Sequence, residues 1–210
     1  MQPQFITLDG IDGAGKSTQL AVIREWFARR NLPVLFTREP GGTPLGEALR
    51  RLLLDPQSTV GLRTETLLMF AARQQHLDEI IRPALAEGIN VVSDRFTDAT
   101  FAYQGGGRGI PQAEITVLEN WVQQGLQPDL TLLLDVPTEV SLSRIEAARE
   151  KDRFEQEQAG FFRRVREVYL QRAAAAPERY RVIDSHRALD DVRAAIENAL
   201  DTHFAHAETL

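Results

Sequence analysis

Residues 5–17, FITLDGIDGAGKS, join a short apolar run to a glycine-rich turn that ends in a lysine and a serine. The apolar run at 5–8 predicts a strand, and apolar positions that recur after residue 17 predict a helix. The turn between them, residues 10–17, matches the pattern G-x-x-x-x-G-K-[ST] of a phosphate-binding loop, which requires this strand-turn-helix context. The stretch therefore predicts a nucleoside triphosphate site in an α/β fold.

The chemistry of such a loop assigns a role to each of its parts. Glycines let successive backbone N–H groups turn inward around the phosphates, and the following helix adds its positive end. Lys16 is expected to reach the terminal phosphates, and Ser17 to offer its hydroxyl to a Mg²⁺ ion. The residues predicted to bind ATP are Gly10, Ile11, Asp12, Gly13, Ala14, Gly15, Lys16, Ser17 and Thr18.

The rest of the chain alternates between strand-like and helix-like segments. Strands are predicted at 34–36, 89–93, 130–135 and 181–183, and helices at 45–54, 65–86, 112–124, 138–148, 161–174 and from 189 onward. Strands separated by helices cannot be hairpin partners, so we expect a three-layer P-loop NTPase fold: a five-stranded parallel sheet with helices on both faces. The glycines at 105–109 predict a flexible loop, and no linker divides the single domain expected over residues 1–210.

Composition excludes several classes of protein. The 210 residues include no cysteine, which rules out disulfides and thiolate metal sites and fits a cytoplasmic location. A formal net charge of −6 argues against a protein that coats nucleic acid, because such binding relies on excess Lys and Arg. The sequence has no apolar run of about 18 residues and no signal-peptide layout at its start, so we expect neither a membrane span nor export.

The end of the third predicted strand points to a second anion site. No asparagine is followed by lysine, so the N-K-x-D segment of GTP-binding switches is absent. The strand at 89–93 is followed by Asp94-Arg95, not by the consecutive acids of a motor ATPase. Because open α/β sheets bind ligands at the carboxyl edge of their strands, Arg95 there suggests a second anion beside the first. Two phosphate sites predict phosphoryl transfer by a small kinase.

Five segments in order carry a family resemblance: LDG at 8–10, TREPGG at 37–42, LMFAAR at 68–73, DRF at 94–96 and AYQGGGRG at 102–109. Together they resemble the bacterial thymidylate kinases over essentially the whole chain. The resemblance implies transfer of the γ-phosphoryl group of ATP to dTMP in a homodimer that uses Mg²⁺ and binds neither nucleic acid nor a membrane. The residues alone leave two alternatives open, another P-loop deoxynucleoside or nucleoside monophosphate kinase and a nucleotide-binding regulator without turnover.

The resemblance also assigns the phosphate end of an acceptor site. Arg95 is the candidate to hold the phosphate of dTMP, and Arg50, which follows REPGG, should join it. Asp9, at the end of the first strand, would orient Mg²⁺ through water or position the acceptor, and Glu39 would give acidic support.

The base end needs a flat apolar surface and hydrogen bonds. Phe70 is predicted to stack on the pyrimidine, and Arg73, one helical turn later, to donate to a ring carbonyl. Thr100 and Gln104, four residues apart on a predicted helix, match family positions that hydrogen-bond the base, and Tyr103 matches the residue that crowds out a ribose 2′-hydroxyl.

The last assignment concerns a lid. Some thymidylate kinases carry an arginine inside the phosphate-binding loop, where this chain has Gly13. Related bacterial enzymes supply arginines from a short mobile lid instead, and the charge-dense segment at about 144–157 occupies that place. Arg149 and Arg153 are therefore predicted to close over the transferring group and to act in catalysis together with Lys16, Asp9 and Arg95.

Overall fold

The computed structural model describes residues 2–148 and 152–207. Within these residues the chain forms a five-stranded parallel sheet in the order β2-β3-β1-β4-β5. The strands are β1 Phe5–Asp9, β2 Val34–Arg38, β3 Asn90–Asp94, β4 Leu130–Asp135 and β5 Tyr180–Asp184. The predicted sheet is confirmed. Four strands run one or two residues past their predicted ends, because polar residues there still pair with the neighbouring strand.

Nine α-helices lie in residues 2–148 and 152–207. They are α1 Lys16–Arg29, α2 Pro44–Leu54, α3 Leu62–His76, α4 Arg82–Ala86, α5 Thr97–Thr100, α6 Gln112–Gln123, α7 Thr138–Ala148, α8 Ala159–Ala175 and α9 Leu189–Ala207. None of these helices is both long enough and apolar enough to cross a membrane. Packing between α1 and α9 is aromatic: the ring of the fully buried Trp26 lies 5.0 Å from that of Phe27 and 4.9 Å from that of Phe204.

The helix predicted over 65–86 is interrupted by a wider turn. A π-helical turn, Leu77–Ile81, separates α3 from α4, and the N–H of Arg82 bonds to the carbonyl of Leu77, five residues back. Pro83 explains the interruption, since proline has no N–H to donate and its ring clashes with the carbonyl four residues earlier.

The prediction of a flexible loop at 105–109 is wrong for most of that stretch. Residues Phe101–Gly107 form a second π-helical segment that packs against α8. A Cβ atom on Gly107 would collide with the ring of Phe161 in α8. A Cβ atom on Gly106 would lie 2.8 Å from the backbone carbonyl oxygen of Arg164, so these glycines allow the segment to approach α8 closely, and the segment is largely buried.

The carboxyl ends of β1, β2 and β3 meet at one edge of the sheet. Leu8 pairs with Asp94 across β1 and β3, and the N–H of Arg95 continues the ladder by bonding to the carbonyl of Leu8 at 3.0 Å. The N–H of Glu39 likewise bonds to the carbonyl of Asp94 at 2.9 Å. Parallel pairing thus brings three segments of the predicted site to one rim.

Candidate active site

The phosphate-binding loop, residues 10–17, connects β1 to α1 as predicted. Gly15 adopts a left-handed conformation with φ of 93° immediately before α1, and no side chain caps that helix. Lys16 folds back over the loop, where its Nζ donates to the carbonyls of Gly10 at 3.1 Å and Ile11 at 3.2 Å. Burial lowers the pKa of Lys16 from its usual value. Free helix N–H groups and a desolvated ammonium make this loop an anion site.

The close packing around Gly13 explains why this loop carries no arginine at that position. Its φ is +75°, and a Cβ atom there would lie 2.5 Å from the carbonyl oxygen of Ser141 in α7. Ser141 also holds the loop directly, since its hydroxyl donates to the carbonyl of Asp12 at 2.6 Å. A side chain at position 13 would have to push α7 away from the loop.

Two adjacent strand ends each carry an aspartate whose carboxylate is largely free to bind a ligand. Asp9 is completely buried, and its Oδ1 accepts a hydrogen bond from the hydroxyl of Tyr169 at 3.1 Å. Its Oδ2, like Oδ1 of Asp94 on the adjacent strand, is buried without a partner in the described part of the chain. Ser17 is exposed in the first turn of α1. Carboxylate oxygens and a hydroxyl beside a phosphate site fit Mg²⁺, which keeps several waters and takes one or two carboxylates.

Asp9 should make the stability of the ligand-free protein depend on pH. Burial, together with repulsion from Asp98, raises its pKa from 3.8 to about 7. The folded protein then holds more protons than the unfolded chain between these values, so the contribution of Asp9 to the free energy of unfolding falls as pH rises from about 4 to about 7, by up to about 1.4 kcal/mol per pH unit.

The measurement is chemical denaturation at several pH values, without nucleotide or divalent cation, of the wild-type protein and of Asp9→Asn. We expect the wild type to lose stability relative to the variant across that window, and the difference to level off above it. If the difference in the free energy of unfolding between the two proteins stays constant from pH 4 to 7, the raised pKa of Asp9 is contradicted.

Beside the loop lies a cleft with about 600 Å³ of open space, called the acceptor cleft here. Residues from three strand ends, three α-helices, the π-helical segment Phe101–Gly107 and the lid segment line it: Asp12, Glu39, Pro40, Arg50, Leu54, Met69, Arg73, Arg95, Phe96, Ala99, Thr100, Tyr103, Gln104, Asp152 and Phe154. The structure therefore brings together most of the residues predicted for the acceptor site.

One end of the acceptor cleft is cationic and touches the phosphate-binding loop. Nη2 of Arg95 donates to Oδ1 of Asp12 at 2.5 Å and to the hydroxyl of Tyr103 at 3.0 Å, and that hydroxyl donates to Oδ2 of Asp12 at 2.7 Å. Burial alone would raise the pKa of Asp12, but the positive charges of Arg95 and Lys16 outweigh burial and lower this pKa below its usual value. Arg50 reaches the same cleft, with Nη1 bonded to the carbonyl of Pro40 at 3.0 Å.

The other end carries a buried guanidinium with one free donor. Nε of Arg73 donates to Oε2 of Glu39 at 2.8 Å, and Nη2 donates to Oγ1 of Thr100 at 3.0 Å. Nη1 is buried and has no partner in the described residues. His76, also buried, contacts the other oxygen of Glu39 at 3.0 Å. Glu39 thus orients Arg73, and a ligand carbonyl would satisfy the remaining donor.

The position of Phe70 does not support the stacking role predicted for it. Its side chain packs in the hydrophobic core and, unlike that of the also buried Phe96, does not line the acceptor cleft. Instead, the guanidinium of Arg73 lies 4.7 Å from its ring centroid. Met69 and Phe96, which sequence reasoning missed, provide the apolar walls. Met69 lies four residues before Arg73 and Phe70 lies three residues before it. Either spacing places the side chain on the same helix face as Arg73.

Two lid arginines were predicted to act in catalysis, and the described residues include one of them. Arg149 lies outside the described residues. Nη2 of Arg153 donates to Oε2 of Glu65 in α3 at 2.5 Å, and its Nε donates to the carbonyl of Leu53 in α2 at 2.9 Å. Arg153 therefore anchors the lid segment to α2 and α3, and none of its hydrogen bonds in this structure reaches the phosphate-binding loop.

Arg144, which was not singled out from the sequence, does reach that loop. Its Nη1 donates to the carbonyl of Gly13 at 3.1 Å, and its Nη2 lies 3.3 Å from the carbonyl of Ser185. Its spacing of three residues from Ser141 on α7 puts both on one helix face, a signal visible only once α7 is known to pack against the loop.

A parallel sheet, a phosphate-binding loop and an arginine-rich cleft beside it define a P-loop kinase for a small phosphorylated acceptor. The family model described as thymidylate kinase matches residues 8–196. The chain is 74% identical to the thymidylate kinase of Neisseria gonorrhoeae strain NCCP11945, covering 97% of this chain and 99% of the relative. It is 61% identical to that of Chromobacterium violaceum, covering 92% and 91%.

A solved structure agrees. The crystal structure of thymidylate kinase from Ehrlichia chaffeensis superposes with a TM-score of 0.78 at 33% identity, covering 96% of this chain and 99% of the other. The chain belongs to the thymidylate kinase family. It is accordingly a phosphotransferase, and its activity is that of a dTMP kinase.

Proposed function

We propose that the chain transfers the γ-phosphoryl group of ATP to the phosphate of dTMP, giving ADP and dTDP, with Mg²⁺ as cofactor. The observation that best supports this site assignment is the position of Arg95, which is bound to Asp12 in the phosphate-binding loop and also lines the acceptor cleft. In-line transfer requires donor and acceptor phosphates to meet end to end, and Arg95 lies where they would meet.

On the donor side, loop amides and Lys16 hold the β- and γ-phosphates of ATP. On the acceptor side, Arg95 and Arg50 hold the phosphate of dTMP. As the bond from the γ-phosphorus to the ADP oxygen breaks, a bond to a phosphate oxygen of dTMP forms, and these cationic groups offset the charge that spreads over the moving group. Ser17 and, through water, Asp9 would hold Mg²⁺, which would supply further charge neutralisation.

At the base end, Nη1 of Arg73 donates to a carbonyl of thymine, and Thr100 and Gln104 complete the hydrogen bonds. Met69 and Phe96 pack on the ring. The ring of Tyr103 fills the space that a ribose 2′-hydroxyl would need.

The reaction is tested with a coupled assay of ADP release with dTMP, dUMP, AMP, CMP, GMP and thymidine as acceptors. We expect dTMP to have the highest kcat/KM. A preference for thymidine would indicate a deoxynucleoside kinase, and ATP binding without transfer to any acceptor would indicate a nucleotide-binding regulator.

The chain is proposed to act as a homodimer in the cytoplasm, as one domain over residues 1–210. Leu67 in α3 is 54% exposed, and Val117 and Trp121 in α6 are 67% and 75% exposed. Arg63 binds Glu114 at 3.1 Å and so joins α3 to α6, and the three apolar residues lie one or two turns further along the same helix faces. An apolar patch of this kind supports a protein interface, here with a second copy of the chain.

Trp121→Glu is expected to convert the dimer to a monomer, because it places a charge in the centre of that patch. Sedimentation velocity at micromolar concentration measures the mass. Leu189→Glu, at an apolar site that is 68% exposed on α9, is the control and should leave the dimer intact. A wild-type monomer, or an unchanged mass for Trp121→Glu, contradicts this interface.

A further inference from the structure

Glu65, in the first turn of α3, is a fully buried carboxylate that has no role in the site assigned above. Its Oε2 accepts the hydrogen bond from Arg153 of the lid at 2.5 Å. Its Oε1 lies 3.5 Å from Nε of Arg108 and accepts a hydrogen bond from Nε2 of Gln104 at 2.8 Å. Two guanidinium groups and one amide therefore converge on this carboxylate, and the amide belongs to a residue that lines the acceptor cleft.

This contact decides which way the amide of Gln104 points. A glutamine amide presents an acceptor on one side and a donor on the other, whereas a carboxylate between two arginines only accepts. The NH₂ group of Gln104 must therefore face Glu65. Its carbonyl oxygen is then left as the group that Gln104 offers to the cleft.

The orientation matters because pyrimidines differ at N3. Thymine and uracil carry a hydrogen on N3 and a carbonyl at C4, whereas cytosine has a bare N3 and an amino group at C4. An acceptor from Gln104 facing N3, with the free donor of Arg73 facing C4, matches thymine and uracil and opposes cytosine at both positions. We propose that Glu65 is a positioning residue that selects pyrimidines bearing N3–H by holding the amide of Gln104 in this orientation. The inference rests on the proposed assignment of Gln104 to the base.

The variant Glu65→Gln should reverse the orientation of the side-chain amide of Gln104. Arg153 hydrogen-bonds to Oε2 and requires an acceptor there, whereas Nε of Arg108 lies 3.5 Å from Oε1 and forms no hydrogen bond within the described residues. The new amide nitrogen therefore takes the place of Oε1 and points at Gln104. Gln104 then accepts from position 65 and turns its own NH₂ group toward the cleft. The cleft would present a donor to N3, which suits cytosine and opposes thymine.

The experiment measures kcat/KM of the full-length enzyme for dTMP, dUMP and dCMP. For Glu65→Gln we expect the values for dTMP and dUMP to fall together by roughly tenfold or more, with their ratio unchanged, because both bases carry N3–H. The value for dCMP should not fall, and KM for ATP should stay the same. Equal losses for all three acceptors would mean that Glu65 serves folding alone, and would overturn the inference.

Two variants separate the possible failures. Glu119→Gln is the matched control, since Glu119 is also a mostly buried glutamate that accepts from a glutamine amide, Gln127 at 2.9 Å, outside the cleft. Glu119→Gln should leave kcat/KM for dTMP, dUMP and dCMP unchanged. Gln104→Met should weaken dTMP and dUMP but not dCMP. If Gln104→Met has this effect and Glu65→Gln does not, the inference about Glu65 fails while the proposed function stands. If Gln104→Met leaves the preference for dTMP intact, the assignment of Gln104 to the base fails, and the inference about Glu65 fails with it.

A measurement on the wild-type protein covers the case in which Glu65→Gln does not fold. The side-chain amide signals of Gln104 are assigned in a ¹H–¹⁵N spectrum by their loss in Gln104→Met. Because one of those protons bonds to Glu65, it should stay protected from exchange with water whether or not dTMP is bound. Loss of this protection when dTMP binds would mean that the NH₂ group turns toward the base, and would overturn the proposed orientation.

Discussion

Arg95→Ala should lower kcat/KM for dTMP by roughly a thousandfold and leave KM for ATP nearly unchanged. Arg95 is the only guanidinium seen to join the phosphate-binding loop to the acceptor cleft by hydrogen bonds in the described residues, through Asp12 and Tyr103. Its loss removes the charge-assisted hydrogen bonds to the acceptor phosphate and part of the charge that stabilises the transferring group. Steady-state kinetics with each substrate varied in turn measures both effects.

The comparison needs a variant that removes an arginine elsewhere. Arg193→Ala on α9 removes an exposed guanidinium that pairs with Glu25 and Glu197, and it should leave both kinetic constants unchanged. Equal losses for ATP and dTMP in Arg95→Ala would remove Arg95 from the acceptor site.

Lys16→Met should lower kcat by about a thousandfold or more while dTMP still binds to the free enzyme with its usual affinity. In the ligand-free protein the ammonium of Lys16 bonds to two loop carbonyls and is largely desolvated, so it is already held where the terminal phosphates would lie. Methionine keeps most of the length of the side chain and removes its charge and its hydrogen-bond donors. Single-turnover kinetics gives the rate of transfer, and calorimetry gives dTMP binding.

Arg29→Met is the control on the same helix. Arg29 lies in the last turn of α1, where it pairs with Glu197 on the surface, so its loss should not alter transfer. A Lys16→Met enzyme that retains most of its kcat would show that the loop amides and the metal suffice, contrary to the proposed role of Lys16.

Predictions from local sequence patterns were confirmed where a single residue type or a single hydrophobic period determines the local structure. The glycines and lysine of the phosphate-binding loop require particular backbone angles and a charge, and Leu130–Asp135 and Thr138–Ala148 have the predicted boundaries, because apolar periodicity there reflects burial directly. The choice between Met69 and Phe70 could not be made in this way. Both spacings from Arg73 fit one helix face, and only the packing of α3 puts Phe70 in the core and Met69 in the cleft.

By itself, the sequence determined the parallel sheet, the loop that receives a triphosphate and the arginine at the end of β3, since each depends on neighbours close along the chain. Only the tertiary structure decided that residues 101–107 form a buried helical segment, that Arg153 binds Glu65, and that Glu65 orients Gln104. Those contacts join segments 39 to 88 residues apart, or depend on how closely α8 approaches a glycine. Spacing along the chain carries no information about such pairs, because they form only when the helices are packed around the sheet.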